Sequence, residues 1–178
     1  MSKPALRCKF PSVASRSPDS TSEIGRVLAV CLYPGLCVLL NGDLGSGKTL
    51  LARAMGAAMG VSRMKSPTFT IEAVHKIPGR DFSLLHCDLY RIDTPSSGDE
   101  AVFSSIEERL ASGDLALIEW GERWNTPPDS DRWDISISIS AELMRSFGLR
   151  AFGRRAAAAL SEAYAGILDS AAMEARSR

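Results

Sequence analysis

Two histidines and four cysteines are all the imidazole and thiol ligands that this 178-residue chain contains. None forms a CxxC pair or a His cluster at ligand spacing, which argues against zinc and against a disulfide framework. Cys8, Cys31, Cys37 and Cys87 read as reduced, buried thiols. An excess of charge of one sign is also missing: 21 basic and 21 acidic residues leave a formal net charge of zero. The whole molecule therefore does not gather nucleic acid by bulk electrostatics, and any link to RNA is local or indirect. There is no run of eighteen apolar residues, so no membrane span is expected. Residues 1–17 mix Lys3, Arg7, Lys9 and Arg16 with prolines and serines where a signal peptide would be apolar. The expected compartment is cytoplasmic. Pro4, Pro11 and Pro18 oppose the amphipathic helix of a transit peptide, and residues 1–18 read as a flexible N-terminal tail.

What remains is an ordinary globular composition, 45% hydrophobic and 24% charged, in a length suited to one core. The spacing of Ile24, Val27, Leu28 and Cys31 predicts an amphipathic helix over Ser22 to Leu32, with Asp19, Ser20 and Ser22 as candidate caps and Pro34-Gly35 as its stop. Leu36 to Leu40 and Leu115 to Ile118 are short continuous apolar runs, the pattern of strands covered on both faces. A helix is predicted from Lys48 to Met59, a hairpin over Phe69 to His86 about a turn at Pro78 to Asp81, and a short helix at Ile106 to Leu110. Asp134 to Ser140 alternates strictly, a strand with one wet face, and Phe147 to Phe152 is its candidate partner. An alanine-rich helix follows Gly153. The predicted fold class is α/β, a single three-layer domain with a mixed, largely parallel sheet over residues 19–170, followed by a C-terminal tail at 171–178.

Gly42-Asp43-Leu44-Gly45-Ser46-Gly47-Lys48-Thr49 satisfies G-x-x-x-x-G-K-[ST] between a buried strand and a helix, the context that makes the motif a phosphate-binding loop. Glycines let successive backbone N–H groups and the helix N-terminus point at phosphate oxygens. Lys48 adds a cation for the outer phosphates, and the Thr49 hydroxyl is a ligand for magnesium. The cradle is thus Gly42 to Thr49 with Leu50 behind it, and the domain is P-loop NTPase-like. A magnesium nucleotide site also needs a carboxylate at the C-terminal end of a neighbouring strand. Asp88, after Leu84-Leu85-His86-Cys87, and Glu119, after Leu115 to Ile118, both qualify. Asp43 reads as structural within the loop. His86 reads as a hydrogen-bonded structural residue, and Arg145, Arg150, Arg154 and Arg155 as a solvated face.

Four motifs in order carry a family resemblance: GDLGSGKT (Gly42 to Thr49), SPTFT (Ser66 to Thr70), HCDLYR (His86 to Arg91) and LIEWGER (Leu117 to Arg123). Over about Asp19 to Phe152 the chain resembles the TsaE (YjeE) family, small bacterial ATPases needed to make threonylcarbamoyladenosine in tRNA. The resemblance implies ATP and Mg2+ as cofactors, Lys48 on the phosphates, Thr49 and Glu119 serving the magnesium, Asp88 as the Walker-B-like acid, and Trp120 beside the nucleotide. It places a switch-like segment at Ser66 to Thr70, in which Thr68, ahead of Thr70, would sense the terminal phosphate. The implied partners are the TsaD–TsaB complex, with TsaC in the same pathway, and tRNA only indirectly. Two departures stand out: Leu50 occupies the place of a usual second threonine, and Gly98 to Ser105 replaces the family's segment after DLYR. The alternatives are a small-molecule kinase on the same loop and a nucleotide-binding module without turnover.

Overall fold

The computed structural model describes residues 6–64, 67, 70–92, 100–140 and 144–176. In chain order the elements are β1 (Arg7–Ser15), α1 (Pro18–Val30), β2 (Cys37–Asn41), α2 (Lys48–Ala58), β3 (Glu72–Lys76), β4 (Ser83–Asp88), α3 (Glu100–Ala111), β5 (Leu115–Glu119), β6 (Arg132–Ile139), β7 (Arg145–Phe152) and α4 (Arg154–Arg176). Single 3-10 turns at Leu89–Arg91 and Gly121–Arg123 follow β4 and β5. The strands form one sheet in the order β1-β7-β6-β2-β5-β4-β3. Its centre is parallel, with β2 between β5 and β6 and β4 beyond β5, while both flanks pair antiparallel. This is the single α/β domain with a mixed sheet that the apolar runs predict.

Side chains alternate across the sheet, so each face meets its own layer. Val38, Leu40, Leu117, Trp133, Ile135, Phe147 and Leu149 pack against α1, α2 and α4 through Ile24, Leu28, Leu51, Met55, Leu160 and Ile167. On the other face Leu39, Leu85, Ala116 and Ile118 meet Ile106 of α3 together with Leu89, Ile92 and Trp124. Each fully buried Leu or Ile here stabilises the fold by about 1.5–3 kcal/mol relative to an exposed one. Where α1 crosses α2, a Cβ on Gly25 would lie 2.7 Å from the Ala54 Cβ, so only glycine permits that approach.

The chain ends depart from the tails the composition predicts. Residues 7–15 are an edge strand, antiparallel to β7, with Cys8, Phe10 and Val13 packed on the core and Phe10 5.5 Å from the Tyr164 ring of α4. Pro11 falls in the register shift between Phe10 and Val13, where an edge strand tolerates a residue without an N–H. The polar, basic composition that suggested a tail is that of a strand exposed on one face. The first helix likewise begins at Pro18, because Ser17 caps it by accepting from Ser20 N–H. At the other end α4 runs through residue 176, past the predicted boundary at 171. Of the predicted hairpin, Phe69 lies outside the described residues, and β3 starts at Glu72.

Candidate phosphate-binding site

β2 ends at Asn41, α2 starts at Lys48, and residues 42–47 must reverse the chain between them. Gly42, Gly45 and Gly47 do this with φ of 137°, 78° and 109°, the left-handed region that side chains disfavour. Gly42 has a second reason to lack a side chain, since its Cβ would overlap the Ile137 carbonyl of β6. Gly47 is the N-cap of α2 and offers no side-chain cap, so the first N–H groups of that helix are left for an anion.

Lys48 is only 4% exposed. Its ammonium donates to the Gly42 carbonyl and, at 2.9 Å, to that of Asp43, and it sits 3.8 Å above the Trp120 ring. Burial pulls its pKa below the usual lysine value, opposed by the carboxylates of Glu122, Glu119, Asp88 and Asp43. The lysine is folded back onto the carbonyls of its own loop, its charge satisfied there until something more negative arrives.

Thr49, one residue on, donates its hydroxyl to Glu119 Oε2 at 2.6 Å, and His86 Nε2 lies 2.8 Å from Glu119 Oε1. His86 is fully buried and Glu119 is 2% exposed. An ionised carboxylate only accepts, so the imidazole donates, and both oxygens of Glu119 are fixed by hydrogen bonds from two elements. Asp88 is the register partner of Glu119 across β4 and β5, at the same carboxyl edge of the sheet. Its Oδ1 accepts from Tyr90 N–H at 3.0 Å, which starts the turn at Leu89–Arg91. Two carboxylates and a hydroxyl beside an anion cradle form an all-oxygen donor set, the kind magnesium prefers. The residues present fit a magnesium nucleotide, for which Thr49, Glu119 and Asp88 are the candidate protein oxygens.

Trp120 follows Glu119 with φ 60°, and its ring lies 5.0 Å from that of Tyr90. Arg123 stands 5.3 Å from both rings and donates to the carbonyls of Tyr90 and Ile92, tying together the two turns that follow β4 and β5. The structure thus brings Gly42 to Leu50, Asp88, Glu119 and Trp120 to one edge. Thr68 lies outside the described residues, and Thr70 is exposed, its hydroxyl donating to the Glu72 carbonyl at 3.0 Å. Leu44 projects from the loop at 77% exposure, and the Asp43 side chain is exposed as well.

His86 is the hydrogen-bonded structural residue that the sequence suggests, and its partner is Glu119, 33 positions away, which no local pattern reveals. Two further contributors went unrecognised. Arg123 had its signal in the LIEWGER run, which the reading used only for Glu119 and Trp120. Arg145, grouped with a solvated face, donates its Nε–H to the Ser46 carbonyl at 3.0 Å. Arg150 and Arg155 are engaged elsewhere, Arg150 with Asp134 at 3.7 Å and Arg155 over the Tyr33 ring.

Residues 15–147 match the family model described as threonylcarbamoyl adenosine biosynthesis protein TsaE. Among curated relatives, the tRNA threonylcarbamoyladenosine biosynthesis protein TsaE of Streptomyces coelicolor is 36% identical over 143 residues, 77% of this chain and 94% of the relative. That of Rickettsia bellii is 40% identical over 111 residues, covering 60% and 71% respectively. The crystal structure of Bacillus subtilis YdiB superposes with a TM-score of 0.70 over 93% of this chain and 99% of that one, at 23% identity, which is a likeness of fold.

Proposed function

The chain belongs to the TsaE family of threonylcarbamoyl adenosine biosynthesis proteins, and from that premise we propose that it is a magnesium-dependent ATPase supporting the threonylcarbamoylation of tRNA adenosine. The observation that carries this reading is the hydrogen-bonded series Thr49–Glu119–His86 set against the Lys48 loop. In it the backbone N–H groups of the loop and of the α2 N-terminus hold the phosphates. Lys48 exchanges the carbonyls of Gly42 and Asp43 for phosphate oxygens, a stronger charge-assisted contact. Thr49 and Glu119, with Asp88 directly or through a water, would hold the magnesium, which when bound would neutralise charge on the phosphates. His86 keeps Glu119 in one orientation, and Asp88 is placed to orient water at the same edge. Trp120, released from the lysine, packs beside the nucleotide.

Turnover by the isolated chain is slow in this reading. Arg123 is engaged with the carbonyls of two turns and Arg145 with that of Ser46, so neither is proposed as an arginine finger. Engagement of a partner by the segment from Ser66 to Thr70, with Thr68 as sensor, would complete the site. The partner is the TsaD–TsaB pair of the same cell, reset by the cycle of binding and hydrolysis. TsaC acts in the same cytoplasmic pathway, and tRNA is met only through the complex. Calorimetric titration with Mg-ATP, followed by phosphate release with and without TsaD and TsaB, tests this. Tight binding and a rate that rises only with both proteins support it. Turnover of the isolated chain at ~1–100 per second, or phosphorylation of a metabolite, replaces it with the kinase alternative.

A further inference from the structure

The phosphate loop is also held from the flank of the sheet opposite to the one that carries its carboxylates. Arg145 is the first residue of β7, paired with Ile139 of β6 on one side and Ser15 of β1 on the other. From there it reaches under the loop, and its Nε–H donates to the Ser46 carbonyl at 3.0 Å. That carbonyl precedes the helix: Gly47 O is the one that accepts the first turn's N–H, from Leu51 at 2.9 Å. Ser46 itself is 1% exposed, and an unpaired carbonyl there would be costly.

We propose that Arg145 is the positioning residue of the loop: by holding the Ser46 carbonyl outward it fixes the direction of the Gly47 N–H, and with it the affinity for the nucleotide phosphates. The reason is peptide geometry. The Ser46–Gly47 bond is planar and trans, so its C=O and N–H point in opposite directions, and pinning one aims the other. Gly47, at φ 109°, has no side chain to resist rotation of that plane. A Cβ on Gly47 would lie 3.3 Å from Arg145 Nε, so the glycine and the arginine form one tightly packed unit. Glu119, bound by Thr49 of α2, marks the proposed metal side at the end of β5, whereas Arg145 acts from β7, two strands beyond β2 in the other direction.

This inference rests on the loop being the nucleotide site, and three variants separate its failure from failure of that reading. Glutamine carries a side-chain N–H donor at the same number of bonds from the backbone as arginine Nε, without the charge. Lysine keeps the charge but has a methylene where Nε stands. Calorimetry of the full chain with Mg-ADP and Mg-ATP should find affinity for both lowered about tenfold in Arg145→Ala and Arg145→Lys, and within about threefold of the parent in Arg145→Gln. In the Ala and Lys variants the KM for ATP should rise by more than turnover at saturating ATP falls, and melting temperatures without nucleotide provide the folding control. If Arg145→Ala does not fold, the Lys and Gln variants decide. A parent chain that binds no nucleotide overturns the site itself. Retained affinity in all variants, rescue by Lys and not by Gln, or a fall in turnover with affinity intact each overturns the positioning role while leaving the site in place.

Discussion

The two halves of the sheet that meet at β2 are built differently. On one side, β5 and β4 are short, parallel and covered on both faces, their residues from Leu84 to Cys87 and from Leu115 to Glu119 almost wholly buried. On the other, β6, β7 and β1 are eight or nine residues long, β7 runs antiparallel to both its neighbours, and only one face is covered by helices. The second face of β6 carries Asp134, paired with Arg132 at 2.9 Å, and exposed serines. The buried half holds the acids that a phosphate site needs at the ends of strands, where neighbouring layers fix their direction. The half-wet side holds the loop itself, with the Ile137 carbonyl beneath Gly42 and Arg145 beneath Ser46. Chemistry and support have been divided between the two.

Lys48→Ala tests whether either half matters without the loop. It removes the buried cation and should weaken Mg-ATP binding by at least about a hundredfold in calorimetry, since a charge-assisted contact to phosphate is lost. Unchanged affinity would move the nucleotide off the loop and dissolve the comparison. Glu119→Gln acts on the parallel half alone: phosphate release should fall about 10–100-fold with binding largely spared. Asp88→Asn should show a smaller fall, because Asp88 is half-exposed and Glu119 is not. Equal rates in parent and both variants would make the two acids structural.

The antiparallel half should answer in stability. Phe10→Ala strips β1 of its contact with Tyr164, and chemical denaturation should register a loss of about 1–2 kcal/mol, below the ~3–5 typical of a fully buried Phe. A loss near zero would mean that β1 adds nothing to the sheet. The smallest effect is expected at Glu23, which joins α1 to α4 through Ser170 at 2.8 Å and binds Arg26 by two hydrogen bonds. Those bonds, from Arg26 first and then Ser170, lower its pKa from 4.5 to about 2. A depressed carboxylate adds stability above its unfolded pKa and loses it as pH falls toward the folded value. Glu23→Gln should therefore cost a few tenths of a kcal/mol at pH 7, the scale of exposed pairs, and nothing at pH 2. Melting temperatures across that range check it.

The same division explains what the sequence disclosed. Leu36 to Leu40 and Leu115 to Ile118 announce themselves because strands buried on both faces are apolar throughout, and Asp134 to Ser140 because one wet face forces alternation. Gly42 to Thr49 is legible because the chemistry dictates consecutive residue types, and Glu119 and Asp88 because strand ends are where acids serve such loops. β1 was hidden by Pro11 and its basic residues, which suit an edge strand as well as a tail. The contact of Arg145 with the Ser46 carbonyl was hidden because it joins residues 99 positions apart, which leaves no trace in local spacing.

Trp120 stands with φ 60° between Glu119, at the carboxyl edge of the sheet, and Gly121, whose missing Cβ would lie 2.6 Å from Leu39 Cβ. A left-handed tryptophan costs about 1–2 kcal/mol, strain that a glycine at the same position would not bear. A library of this chain selected for heat resistance alone is therefore drawn toward glycine at position 120, and away from the indole that stacks on Lys48 and Tyr90. Improvement by thermal selection and retention of the nucleotide site pull against each other at this one residue, so a screen of this chain must read binding alongside melting.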